Sequence, residues 1–178
     1  MNRLLVVVDM QNDFIDGALG TKEAEGIVEN VADKIKEYQR EKDSIIFTMD
    51  THSDNYEETM EGRKLPVKHC MKGTHGWDIC DAIQTVCNLN NYKIYEKDTF
   101  GSRELGKDLA AGIYDTCSEI ELVGICTDIC VISNALLIKT FLPEKKITVD
   151  GACCAGITPK SHKNALEAMK MCHIDIIE

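Results

Sequence analysis

The chain lacks any excess of basic residues: 20 lysines and arginines stand against 30 aspartates and glutamates, a formal net charge of -10 at pH 7 over 178 residues. Its pI is near 5.0. Nucleic acids and anionic membrane surfaces both require a basic face, so neither is an expected partner and a small molecule is. Long hydrophobic runs are also missing. The run Leu4 to Val8 that follows Met1-Asn2-Arg3 is too short for a signal-peptide core, and no stretch approaches the roughly 20 apolar residues of a membrane-spanning helix. A cytoplasmic protein is expected. No C-x-x-C spacing occurs among the nine cysteines, which excludes a zinc ribbon or a thioredoxin-type pair. Their odd number and irregular spacing fit reduced thiols, most of them small core residues. Repeats and low-complexity segments are absent, and the length fits one domain over residues 1–178.

What is present is an alternation. Apolar, β-branched runs at Leu4 to Val8, Ser44 to Met49, Tyr92 to Tyr95, Ile120 to Val123, Ile147 to Val149 and Ile174 to Ile177 read as strands. Helical patterns lie between them. In Glu23 to Lys42 the residues Ile27, Val31, Ile35 and Tyr38 form one apolar stripe on a charged surface. Further helices are expected over Trp77 to Asn88, Arg103 to Ile113, Thr127 to Phe141 and Pro159 to Met171, the last capped by Thr158 with Pro159 at its first position. Strands alternating with helices of this length imply an α/β fold, a three-layer α/β/α sandwich around a mostly parallel sheet of about six strands. Residues 50–75 form a long polar segment with no evident element and three of the five histidines, the kind of stretch that is functional or disordered.

Ligands of open parallel sheets bind beyond the carboxyl ends of the strands, and the chemistry-bearing residues sit there. In Val123-Gly124-Ile125-Cys126-Thr127-Asp128-Ile129-Cys130-Val131 an apolar strand stops at a small-residue turn and a helix begins at a thiol. Backbone N–H groups and the helix dipole at such a turn favour a thiolate and can hold an oxyanion. Asp9 follows five apolar residues at the end of the first strand, and Lys97 ends the third. Taken alone, Asp9 reads equally as a turn cap and Lys97 as a solvated charge. Beside Cys130 they would have a joint use. A free thiol with a pKa of about 8.5 is only a few per cent thiolate at neutral pH, whereas a carboxylate can take its proton and an ammonium can stabilise the anion. Asp50-Thr51-His52 projects two donors to one side if extended, and His69 could complete a two-histidine, one-carboxylate set suited to zinc, iron or manganese. Exposed loop histidines are the alternative. Asp13 reads as a loop or capping residue, His75, His162 and His173 as surface or capping residues, and Cys153 and Cys154 as facing opposite ways.

Five segments in order carry a resemblance over nearly the whole chain. They are Val7-Val8-Asp9-Met10-Gln11-Asn12-Asp13-Phe14, Asp50-Thr51-His52, Pro66-Val67-Lys68-His69-Cys70-Met71-Lys72-Gly73-Thr74, Lys97 with Phe100, and Gly124 to Val131. The chain resembles the isochorismatase-like cysteine hydrolases, and within them the nicotinamidase-related amidases. The resemblance implies a triad of Asp9, Lys97 and Cys130, metal ligands Asp50, His52 and His69 for a divalent ion such as zinc, and an oxyanion hole from the N–H groups of Cys126 and Cys130 after a cis Ile125–Cys126 peptide. It implies hydrolysis of a small amide to acid and ammonia through a thioester, and it allows a homo-oligomer. Phe14 and Leu65 are the implied substrate contacts. Leu65 stands before Pro66 where the family commonly has an aromatic residue, which removes one stacking wall for a pyridine ring. Trp77 is expected to pack its helix onto the body. Two other readings stand beside this one: a superfamily hydrolase of an N-carbamoyl compound or an isochorismate-type enol ether, and a non-catalytic thiol or metal-binding domain. Retention of the three metal ligands favours the amidase over the isochorismate-cleaving branch.

Overall fold

The computed structural model describes residues 2–177. Six strands, β1 (Leu4–Val8), β2 (Ser44–Asp50), β3 (Lys93–Lys97), β4 (Glu119–Ile125), β5 (Lys146–Ala155) and β6 (Asp175–Ile177), form one sheet in the order β3-β2-β1-β4-β5-β6. Every pairing is parallel. The helices are α1 (Asn12–Ile15), α2 (Lys22–Glu41), α3 (Met60–Lys64), α4 (Asp81–Val86), α5 (Arg103–Ala110), α6 (Ile132–Phe141) and α7 (Pro159–Met171). The expected three layers follow from the two periodicities of the chain. On β1, Leu5 and Val7 join a core with Ile27, Val31, Ile35 and Tyr38 of α2 and Ile83 of α4. Leu4, Val6 and Val8 point the other way, toward Leu105 of α5, Ile138 of α6 and Met169 of α7. A strand buried on both faces must be apolar at every position, as β1 is. Each such side chain contributes roughly 1.5–3 kcal/mol by leaving water.

Local signals set most boundaries. Thr21 caps α2 by accepting from the Ala24 N–H at 3.0 Å, and Thr158 and Ser161 form a reciprocal capping box at α7 with Pro159 inside it. Cys153 and Cys154 do fall in opposite cores. Three elements depart from the sequence pattern. The helix expected over Trp77 to Asn88 is reduced to Asp81–Val86, because residues 76–78 are engaged by the turn after β1 and a second short turn, Leu89–Asn91, follows. The Cys130 helix opens with one wide turn over Thr127–Val131, in which the Val131 N–H reaches back to Cys126 O at 3.0 Å, before α6 proper. Residues 50–75 are ordered rather than structureless: a tight turn at Tyr56–Glu58, α3, and a bridge between His52 and Met71 organise them.

The sheet order places β1 between β2 and β4, with β3 beyond β2. Asp9, Asp50, Lys97 and Cys126 therefore leave from neighbouring strands at one edge. Gly124 permits the closest approach there. It has φ +117°, and a Cβ on it would lie 2.1 Å from Val8 O. Only glycine tolerates both conditions.

Candidate active site

Asp9, Lys97 and Cys130 meet in one buried cluster. Lys97 Nζ lies 2.6 Å from Asp9 Oδ2, 3.5 Å from Cys130 Sγ and 3.4 Å from Asp50 Oδ1. Asp9 is 0 % exposed and Cys130 6 %. Asp9 adopts φ +50°, its N–H is held by Thr48 O at 3.1 Å, and the Thr48 hydroxyl donates to Asp9 Oδ1 at 2.6 Å. That second contact fixes the carboxylate and leaves Oδ2 toward the lysine. The Ile125–Cys126 peptide is cis, as the resemblance implies. Around the nucleophile turn, Asn134 Nδ2 donates to Cys130 O at 2.8 Å and to Phe100 O at 3.2 Å, and its Oδ1 accepts from Ser102 N at 2.9 Å. The loop after β3 is thereby tied to the Cys130 turn. His162 is half-buried, and its Nδ1 lies 2.8 Å from the buried Thr127 hydroxyl, so it braces this turn instead of standing at the surface.

The protonation states follow from burial. Desolvation, the largest influence, raises the pKa of Asp9; Lys97 opposes it and Asp50 adds to it. Desolvation also raises the Cys130 thiol well above its ordinary value, as do Asp9 and the hydrogen bond to it, with Lys97 opposing. For Lys97 burial acts downward, yet Asp9, Cys130 and Asp50 together hold the ammonium protonated. Burial thus opposes the thiolate that the helix start favours, and it raises the proton affinity of both Cys130 and Asp9. Proton transfer between them keeps the net charge of the cluster constant, which a low-dielectric site favours.

Next to this cluster, Asp50, His52, Glu61 and His69 bring four donor atoms within 4.8 Å of one another. His52 Nε2 is 2.9 Å from Asp50 Oδ2 and 3.9 Å from Glu61 Oε1; His69 Nε2 is 3.4 and 3.7 Å from the same oxygens. His69 Nδ1 pairs with Val67 O at 2.8 Å, which directs Nε2 inward. His52 Nε2 is buried and has no partner of good hydrogen-bond geometry, only the close approach of the Asp50 and Glu61 carboxylates. Burial alone would lower the His69 pKa, but Asp50, Val67 O and Glu61 outweigh it and raise it. Two imidazole nitrogens and two carboxylates in a buried pocket attract a cation, and this donor set fits zinc, manganese or iron. The loop histidines are therefore not exposed. Backbone pairing brings them together, since His52 N donates to Cys70 O and Lys72 N to His52 O, each at 2.9 Å.

A cavity of about 650 Å³ opens beside these residues, lined in part by His52, Tyr56, Glu61, Leu65, Phe100 and Ile129. Leu65 is 37 % exposed at this rim. Phe14 is buried and packs on the His69 ring at 5.6 Å, and it is not among the residues lining the cavity. Trp77 packs against the core that holds Ile83 of α4, as expected, but from the loop before that helix and not from within it, and its Nε1 donates to Thr51 Oγ1 at 2.9 Å, which braces the ligand segment. Sequence reasoning missed two residues. Glu61 sits in the polar run Glu57-Glu58-Thr59-Met60-Glu61, which resembles a solvated face. Tyr56 is fully buried against both histidine rings, 4.6 Å from His52 and 5.2 Å from His69, and burial, then Glu61 and Asp50, push its hydroxyl up to about 12. That hydroxyl donates to Leu65 O at 2.8 Å. The lone aromatic in this polar stretch was the available signal.

Comparisons with known proteins bear on the family and the fold. The Isochorismatase domain model matches residues 3–178. An uncharacterized isochorismatase family protein PncA of Bacillus subtilis is 27 % identical over 93 % of this chain and 93 % of its own length. The nicotinamidase/pyrazinamidase of Mycobacterium tuberculosis is 26 % identical over 98 % of each chain. Among solved structures, pyrazinamidase of Pyrococcus horikoshii in complex with zinc superposes with a TM-score of 0.82 at 25 % identity, covering 100 % of this chain and 99 % of the other. A match over almost every residue, on a fold whose strand ends gather these side chains, places the chain in the isochorismatase family.

Proposed function

We propose that the chain, as one hydrolase domain over residues 1–178, cleaves a small carboxamide to the acid and ammonia, with Cys130 as nucleophile, Asp9 as general base and acid, and Lys97 as the cation that stabilises the developing thiolate. The observation that carries this reading is the buried contact of Lys97 with both Asp9 and Cys130, where Asp98 and Ile129, the chain neighbours of Lys97 and Cys130, line the cavity. As the thiol sulfur bonds to the amide carbon, its proton passes to Asp9 and the carbonyl oxygen becomes an oxyanion, held by the N–H groups of Cys126 and Cys130. Each such donor is worth about 100-fold to 1000-fold in rate. Collapse breaks the C–N bond while Asp9 returns the proton to the nitrogen, which leaves as ammonia. The thioester on Cys130 is then attacked by water, whose proton goes to Asp9. Collapse of this second adduct releases the acid, and the proton on Asp9 restores the thiol.

Asp50, His52, Glu61 and His69 would hold a divalent ion, zinc being the best match to the donors and to the zinc-bound Pyrococcus horikoshii relative. Such an ion supplies a Lewis-acidic point that anchors a substrate heteroatom, as a pyridine nitrogen would provide. Nicotinamide is the first substrate to test, given the nicotinamidase/pyrazinamidase relative. Leu65 forms the apolar rim of the pocket, and Phe14 backs His69.

Ammonia release from nicotinamide, pyrazinamide and a panel of other small amides, comparing the intact protein with Cys130→Ala, tests the reading. Release by the intact protein that vanishes in the variant is expected. No release from any amide, or equal release by both proteins, would overturn it.

A further inference from the structure

The turn after β1 carries two polar side chains, the buried Gln11 and the half-buried Asp13, that take no part in the chemistry above. Gln11 is fully buried. Its Oε1 accepts from the Asp50 N–H at 2.7 Å, while Nε2 donates to Asp50 O and to Trp77 O, each at 2.8 Å. Both donor hydrogens and the acceptor of the amide are thus engaged, and two of the three bonds grip one residue, the carboxylate that faces His52, His69 and Lys97. Two positions on, Asp13 Oδ2 accepts from the Cys70 N–H at 2.7 Å and Oδ1 from the Ala18 N–H at 3.2 Å. Cys70 follows His69 directly and has φ +46°, a conformation that a non-glycine residue keeps only when its surroundings hold it. Gly76 completes the contact. A Cβ there would lie 2.2 Å from Asp13 Oδ2, so only glycine lets this part of the loop pass so close to the carboxylate. Asn12 closes the grip by donating from Nδ2 to His75 O at 2.8 Å.

We propose that Gln11 and Asp13 are positioning residues of the metal centre: Gln11 sets the direction of Asp50 and Asp13 that of His69, so that the site is assembled before an ion arrives. The inference rests on the metal reading given above. Neither side chain is among the four that supply donor atoms, so each acts through backbone N–H and C=O groups. In Gln11→Met the shape is kept and the three hydrogen bonds are lost, which frees the Asp50 backbone to turn its carboxylate. In Asp13→Ala the Cys70 N–H is left without its acceptor. Asp13→Asn retains one oxygen for that N–H.

The test is zinc affinity, measured by competition with a chromophoric chelator, together with the visible absorption spectrum of the cobalt-loaded protein and the melting temperature of metal-free protein. Residues that orient metal ligands through hydrogen bonds typically contribute about 10-fold to 100-fold in metal affinity. Gln11→Met and Asp13→Ala are expected to weaken zinc binding by about that factor and to alter the cobalt spectrum, while remaining folded at the temperature of the titration. Asp13→Asn is expected to recover most of the affinity. A purely structural role would lower the metal-free melting temperature and leave the affinity and spectrum unchanged, and that result overturns the proposal. Should Gln11→Met fail to fold, the Asp13→Ala and Asp13→Asn pair decides alone. An intact protein that binds neither zinc nor cobalt would overturn the metal reading and this inference with it, whereas tight binding by the intact protein and the variants alike would overturn only the inference.

Discussion

Asp9 shows how a residue's environment, more than its type, sets its chemistry. An ordinary aspartate has a pKa of about 3.9 and is a feeble base toward a thiol. Burial raises this one, Asp50 raises it further, and Lys97 opposes them without cancelling the effect. The proposed mechanism needs the ionised form to accept the proton of Cys130, so activity is full above the Asp9 pKa and is lost as the pH falls through it. The acid limb of the kcat/KM profile should therefore lie above 3.9. A limb at or below that value, measured where the protein remains folded, would remove Asp9 as the base. That a lysine and an aspartate stand at strand ends could be read from the sequence; that burial raises the proton affinity of Cys130 could not, because desolvation is a sum over atoms distant in the chain. The same holds for Glu61, whose acidic neighbours Glu57 and Glu58 are exposed while it turns inward to His52 and His69.

At the scale of elements, the site depends on how closely β4 lies against β1. Gly124 pairs with Val8, and the register of β4 against β5 slips between Leu122 and Gly124, so that Leu122 faces Val149 but Gly124 faces Cys154. The extra residues of this irregularity lie in β5, while β4 runs straight to Ile125 and hands the chain to Cys126 and the wide turn carrying Cys130. Gly124→Ala would place a methyl group 2.1 Å from Val8 O at φ +117°. Overpacking and backbone strain of this kind each reach about 3 kcal/mol. The variant should lose at least about 3 kcal/mol of stability in urea unfolding and retain little activity; a variant as stable as the parent would show that the two strands can separate at no cost. The sequence marks the small-residue step at Gly124 and the helix after it. It does not mark the wide turn, since the apolar spacing of residues 127–141 is equally that of a regular helix, and only the packing of α7 and the bond from Thr127 to His162 distinguish the first turn from the rest.

Over the whole molecule, the proposed metal set joins the end of β2, α3 and the loop that carries His69. An ion bound there would tether residues 52–75 to the sheet, and binding to the folded state alone stabilises it by about 2.7 kcal/mol at 100 times the dissociation constant. For a domain of this length each kcal/mol raises Tm by about 2–4 °C. Zinc at that excess should accordingly raise the Tm of metal-stripped protein by about 5–11 °C in calorimetry, and His52→Ala should abolish the shift. An unchanged Tm would mean that the four donors do not bind the ion. Among the described residues no helix is long and apolar enough to cross a membrane. The alternation of strand and helix, the two-sided burial of β1, the cap at Thr158, the places of Asp9, Asp50 and Lys97 at strand ends and that of Cys130 in the turn after β4 were determined by the sequence itself, because each depends on side-chain period or turn chemistry among residues close in the chain. The tertiary structure alone decided that Lys97 touches both Asp9 and Asp50, that Tyr56 and Glu61 enter the site, and that Phe14 backs His69 without lining the cavity. Those outcomes depend on the order of strands in the sheet and on exclusion of water, both of which arise from contacts between residues tens of positions apart.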